Sequence, residues 1–146
     1  MQELYTEIEI NATPEEVWDI LMDFSNYPEW NPFVTSINGE QAVGGKLTVE
    51  LTQPDSKPMT MKPTVRNIEQ NREFRWLGHL GIPRIFDGEH IFELEQLDEN
   101  RVRFVQREKF RGILVPFLKK MLETRTNEGF QLMNQALKKR AEAGTA

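Results

Sequence analysis

The chain has 146 residues, of which 38% are hydrophobic and 28% charged, with a net charge of −5 and a pI of about 5.2. That is the length of one domain with ordinary globular composition, and its acidity argues against generic nucleic-acid binding. There is no cysteine, which removes disulfides, thiol catalysis and cysteine-type metal sites. No apolar run is long enough to span a membrane. The acidic first residues lack the basic and apolar regions of a signal peptide, so a cytoplasmic location is expected.

Residues 5–10 alternate, with Thr6, Ile8 and Ile10 on one face, and predict a first strand. Thr13 is a good N-cap, Pro14 suits the first helical position, and Glu16 completes a capping box. A short helix to Met22 follows, burying Val17, Leu21 and Trp18. Residues 23–33 form a connection with one further helical turn near 27–30, because Pro28 and Pro32 forbid anything longer.

Six more strands are predicted, at 34–38, 46–52, 59–67, 72–80, 86–96 and 101–110. Pro63 marks an edge or a bulge in the third of these. Alternation puts Phe74, Trp76 and Gly78 on one face, then Phe86, Gly88, His90, Phe92 and Leu94, then Val102, Phe104, Gln106, Glu108 and Phe110. Short connectors imply an antiparallel meander.

Residues 112–143 read as one long helix, with Pro116 in its first turn. Leu114, Leu118, Met121, Leu122, Met133, Ala136 and Leu137 form its apolar stripe, with Val115 on the edge. The helix must lay that stripe on the sheet. The expected fold is therefore α+β: a curved seven-stranded antiparallel sheet wrapped around a long C-terminal helix, with two short helices between strands 1 and 2. The whole chain, 1–146, is expected to be a single ligand-binding domain with a cavity between sheet and helix.

This order of elements resembles the helix-grip fold of the START-like (SRPBCC) superfamily, and more closely its polyketide cyclase/dehydrase-related branch. The stretches that carry the resemblance are Ala12-Thr13-Pro14-Glu15-Glu16-Val17-Trp18, Tyr27-Pro28-Glu29-Trp30-Asn31-Pro32-Phe33, Trp76-Leu77-Gly78, Gly88-Glu89-His90-Ile91-Phe92 and Gly129-Phe130-Gln131-Leu132-Met133-Asn134. The superfamily includes lipid carriers, hormone receptors, aromatase/cyclases and quinone-binding proteins. The resemblance implies a START-like domain and supplies no universal catalytic motif, so no catalytic residue is carried over.

The residues themselves single out a small set. A three-residue turn at Asp98-Glu99-Asn100 would pair Leu97 with Arg101, set His90 opposite Glu108, and set Phe92 opposite Gln106. An inward His–Glu pair can do acid/base work or orient a polar ligand. Mutual satisfaction of His90, Gln106 and Glu108 near the cavity's open end is the simpler reading. Trp76 can stack on a flat ligand or fill core. Gly129 falls on the helix's buried face beside Arg125 and Thr126, where its missing side chain leaves room for a ligand or for a bulky sheet residue.

The candidate ligand-binding set is Trp76, His90, Phe92, Gln106, Glu108, Arg125, Thr126 and Gly129, with His90 and Glu108 the catalytic candidates. No cofactor and no metal site are expected. The expected partner is a small, largely hydrophobic, ring-containing molecule. Its rivals are a polyketide cyclase/dehydratase-type reaction and a protein-partner-binding module. Two apolar stretches at expected turns, 80–86 and 113–118, form either a greasy portal or membrane-docking lip at the cavity entrance, or pack on each other and on the helix. Arg101, Arg103, Arg107 and Lys109 face Glu89, Glu93 and Glu95 as cross-strand ion pairs. Oligomeric state is not legible.

Overall fold

A computed structural model describes residues 2–54, 56–79 and 83–144. Inward alternation of Leu4, Thr6 and Ile10 defines β1 (Gln2–Ile10), which starts earlier than the pattern predicts. Thr13 caps α1 (Pro14–Met22). Its hydroxyl accepts the Glu16 amide at 3.2 Å, and the Glu16 carboxylate accepts the Thr13 amide at 3.2 Å. The helix buries Val17, Trp18 and Leu21, as its spacing predicts. A 3-10 turn (Phe24–Asn26) leads into α2 (Tyr27–Trp30). The Asn31 side-chain oxygen then accepts the Phe33 and Val34 amides at 3.0 and 2.9 Å, turning the chain into β2 (Val34–Gly39).

The expected seven-stranded sheet is corrected. Among the described residues there are eight strands in two antiparallel sheets. One sheet has the order β1-β8-β7-β6-β5, built with β5 (Thr64–Glu69), β6 (Glu73–His79), β7 (Asp87–Asp98) and β8 (Arg101–Arg111). The other pairs β2, β3 (Leu47–Leu51) and β4 (Met59–Met61). The run expected at 59–67 divides at Lys62-Pro63 because proline has no N–H to continue the ladder. The sheets stay joined across the break: Leu47 donates to the Pro63 carbonyl and Val65 to the Gly45 carbonyl, both at 2.9 Å.

The terminal helix is also corrected. It comprises α3 (Val115–Met121), a π-helical segment (Leu122–Thr126) and α4 (Asn127–Ala143). A π segment adds a residue to the turn, so the buried face beyond it falls about one position later than an uninterrupted repeat predicts. Phe130, Asn134 and Ala141 therefore join Met133 and Leu137 in the core, and Ala136 shifts to the flank. Before the segment, Val115 and Leu122 are buried, Leu118 is half-buried, and Leu114 and Met121 stay exposed.

Between the larger sheet and α4 lies a dense aromatic core. Phe74, Trp76, Phe92 and Phe104 from the sheet meet Phe33 and Phe130, all nearly inaccessible to solvent. Polar contacts fasten α4 to its surroundings: Lys138 donates to the Glu9 carbonyl at 2.8 Å, and the Asn11 amide donates to the Glu142 carboxylate at 2.8 Å. Cross-strand ion pairs cover the outer face as expected, with Arg103 on Glu95 at 3.0 Å and Arg107 on Glu93.

Candidate functional site: a cavity ending at Glu108

The β7–β8 hairpin places the two catalytic candidates. Its turn is tighter than expected, because Asp98 rather than Leu97 pairs with Arg101 and a bulge at Leu97 takes up the difference. Beyond the bulge the register is the predicted one. His90 faces Glu108 and Phe92 faces Gln106.

Both facing pairs are buried, and they belong to a longer polar chain. The Gln106 amide donates to the Asn134 side-chain oxygen at 2.8 Å and to the Phe130 carbonyl at 3.4 Å. A backbone carbonyl only accepts, so this end of Gln106 is the NH2 and its oxygen points to His90. That oxygen lies 2.9 Å from His90 Nε2, which therefore carries a hydrogen. Asn134 donates to Thr6 Oγ1 at 2.9 Å, and Thr6 donates to the Gln106 backbone carbonyl at 2.7 Å. The ring closes with its polar atoms satisfied, as buried groups require. His90 Nδ1 is left facing Glu108 Oε1 at 3.4 Å. With Nε2 already protonated, that contact is attractive when one further proton sits on Nδ1 or on the carboxyl group.

Glu108 is where this chain meets open space. A cavity of about 280 Å³ opens between the two sheets and the first part of the terminal helix. Leu51 of β3 and Met59, Thr60 and Met61 of β4 form one wall, and Gly78, Gly88, Glu108 and Phe110 of the larger sheet form another. Leu118, Met121, Leu122 and Thr126 close it, and Phe33 also lines it. Gly88 leaves room for the carboxylate, since a Cβ there would overlap Glu108 Oε2 and push it aside. Gly78 likewise leaves room for Met61, whose Cε would lie 2.6 Å from an added Cβ. Gln53 donates to Thr126 Oγ1 at 3.0 Å beside the opening. His79 also lines the cavity, with Nδ1 at 2.7 Å from the Asp87 carboxylate.

Of the eight candidate ligand-binding residues, Glu108 and Thr126 line the cavity. His90 and Gln106 lie behind Glu108 and reach the cavity through it. Trp76 and Phe92 belong to the packed core, where the Trp76 ring centroid is 5.0 Å from His90 and 5.3 Å from Phe92. Arg125 points to solvent and reaches Ser56 at 3.3 Å. The room at Gly129 is filled by Phe33, whose ring would stand 2.5 Å from an added Cβ. The open space thus lies one helical turn nearer the start of the terminal helix than its Arg125–Gly129 centre suggests.

Sequence reasoning missed Thr6 and Asn134 as network members and Met59, Met61 and Met121 as lining. A lone Asn amid Phe130, Met133 and Leu137 was the available signal. Of the two apolar stretches at turns, residues 80–82 lie outside the described residues. The stretch at 113–118 is packed in part: the Ile113 and Leu114 amides donate to the Arg84 and Ile85 carbonyls at 3.1 Å and Val115 is buried, while the Ile113 and Phe117 side chains are exposed. Among the described residues no helix is long and apolar enough to cross a membrane.

A curved sheet gripping a long terminal helix, with a cavity between them, is the architecture of START-like proteins. The chain belongs to the polyketide cyclase/dehydrase and lipid transport family, which its sequence matches over residues 1–142. Among solved structures it is similar to the Zhui aromatase/cyclase from Streptomyces sp. R1128, with a TM-score of 0.81 and 14% identity over 99% of this chain and 96% of that one. A START superfamily protein from Mycobacterium smegmatis gives a TM-score of 0.75 at 19% identity, covering 97% of each chain. Norcoclaurine synthase from Thalictrum flavum gives 0.76 at 13% identity over 99% of this chain and 96% of that one. At such identities the likeness concerns the fold. No curated protein matched the sequence.

Proposed function

We propose that the chain acts as one START-like ligand-binding domain for a small, largely hydrophobic, ring-containing molecule. The cavity takes the apolar body of the ligand, and Glu108 receives its hydroxyl or amine. The observation that carries this reading is a nearly buried carboxylate in the wall of a pocket lined mainly by Leu, Met and Phe. Such a pocket, with a few convergent polar groups, is the usual form of a small-molecule site. Its volume of about 280 Å³ stands at the small end of ligand pockets, which start near roughly 300 Å³. That size favours one or two rings over a long acyl chain.

The test uses 2-naphthol, a fluorescent two-ring phenol. It should bind the purified protein, and Leu118→Trp, which fills the cavity from its half-buried wall, should abolish binding while leaving the thermal unfolding cooperative. Unchanged binding to Leu118→Trp would place the probe elsewhere and refute the reading.

A cyclase/dehydratase-type reaction is the second reading, favoured by the His90 Nδ1–Glu108 contact of 3.4 Å directly behind the cavity wall. Glu108 would exchange a proton with bound substrate, and His90 would share that proton from behind. This reading requires His90→Ala and Glu108→Gln to stop turnover of a polyketide-type substrate while a folded, ligand-binding protein remains. Normal turnover by both variants would refute it.

A further inference from the structure

The segment after β8 exposes what a helix normally buries. Phe117 is 83% exposed and Ile113 67% exposed. Leu114, Phe117 and Met121 recur at intervals of three and four and so form an outward apolar stripe on and beside α3. Met121 also lines the cavity, as does the exposed Met59 across from it, so the stripe runs along the cavity mouth.

Cations surround this lip. Residues 109–125 hold Lys109, Arg111, Lys119, Lys120 and Arg125 against one carboxylate, Glu123, in a chain of net charge −5. Lys119 lies 3.9 Å from Glu123, whereas Arg111 and Lys120 have no carboxylate partner among the described residues.

We infer that this lip docks on an anionic lipid bilayer. Ile113, Leu114 and Phe117 enter the boundary between headgroups and acyl chains, while Lys120 and Arg111 keep their charges at the phosphate level. A protein partner fits less well. Specific interfaces bury about 800 Å² per partner with matched shape, and this stripe is only a few side chains wide. A bilayer needs no matched shape, only apolar side chains ringed by cations. Docking there turns the cavity mouth toward the lipid phase, and it goes beyond the proposed ligand binding because it requires no occupant in the cavity.

The experiment is co-sedimentation of the full chain with phosphatidylcholine vesicles prepared with and without phosphatidylserine. Binding should appear with phosphatidylserine and weaken as salt rises. Phe117→Asp should reduce it by about tenfold or more, the worth of burying one aromatic side chain. Replacing Arg111 and Lys120 by Gln should reduce it by about fivefold per residue, from roughly 1 kcal/mol per charge near an anionic surface. Val43→Asp makes the same charge change at another exposed site, 66% exposed on the β2–β3 connection, and should leave binding unchanged. Binding indifferent to phosphatidylserine, equal loss in Phe117→Asp and Val43→Asp, or a soluble dimer that Phe117→Asp dissolves would each overturn the assignment.

Discussion

His90 Nε2 stands 2.9 Å from Gln106 Oε1, and the backbone carbonyl of Phe130 decides which end of Gln106 faces it. The imidazole is thereby held in one tautomeric sense, with its other nitrogen turned to the carboxylate at the cavity wall. A long-range nitrogen–proton NMR spectrum should show His90 Nε2 bearing hydrogen. Gln106→Leu should remove that constraint and orphan both His90 and Asn134. Each orphaned buried group costs about 1–3 kcal/mol, a loss that chemical denaturation would read. An unprotonated Nε2 would show that the network runs in the opposite direction.

Phe33, just ahead of β2, fills the space that Gly129 of α4 leaves beside it. On propensity alone, Gly129→Ala should stabilise α4 by about 1 kcal/mol. The ring at 2.5 Å from the new Cβ reverses the sign, and a net loss of about 1–3 kcal/mol is expected from overpacking. Phe33→Leu should partly rescue it, with a coupling energy above about 0.5 kcal/mol in a double-mutant cycle. Additive losses would mean that the two residues do not press on each other.

Leu118 and Leu122 separate packing from cavity lining. Leu122 is 1% exposed, and Leu122→Ala should cost about 2–5 kcal/mol, as buried leucines do. Leu118 is half-buried with one side on open space, so Leu118→Ala should cost about 1 kcal/mol because it removes less buried area. Urea denaturation of the two variants measures the difference.

The residues that speak through short-range periodicity were legible from the chain. The Thr13–Glu16 capping box, the inward faces of β6 to β8 and the facing of His90 with Glu108 all follow from spacing of two, three or four. The single sheet was misread because Pro63 can kink a strand or end it, and only the pairing of β3 with β4 and of β5 with β6 decides which. The terminal helix was misphased because a π segment leaves no mark in apolar spacing until tertiary packing selects it. The candidate site was found in part. Glu108 was legible from hairpin register, but Gly129 and Phe33 are about a hundred residues apart in sequence, and nothing local announces that one fills the space beside the other. Asn134 and Thr6 were missed for the same reason.

Glu108 as the polar end of an apolar pocket is the central claim, and paired titration of 2-naphthol and naphthalene tests it most directly. The two probes share the ring system and differ by one hydroxyl. The wild-type protein should bind 2-naphthol about fivefold or more tightly, the worth of one hydrogen bond at roughly 1 kcal/mol. Glu108→Leu should erase that preference while still admitting naphthalene. Equal affinity for the two probes in the wild-type protein, or a preference that survives Glu108→Leu, would contradict the account.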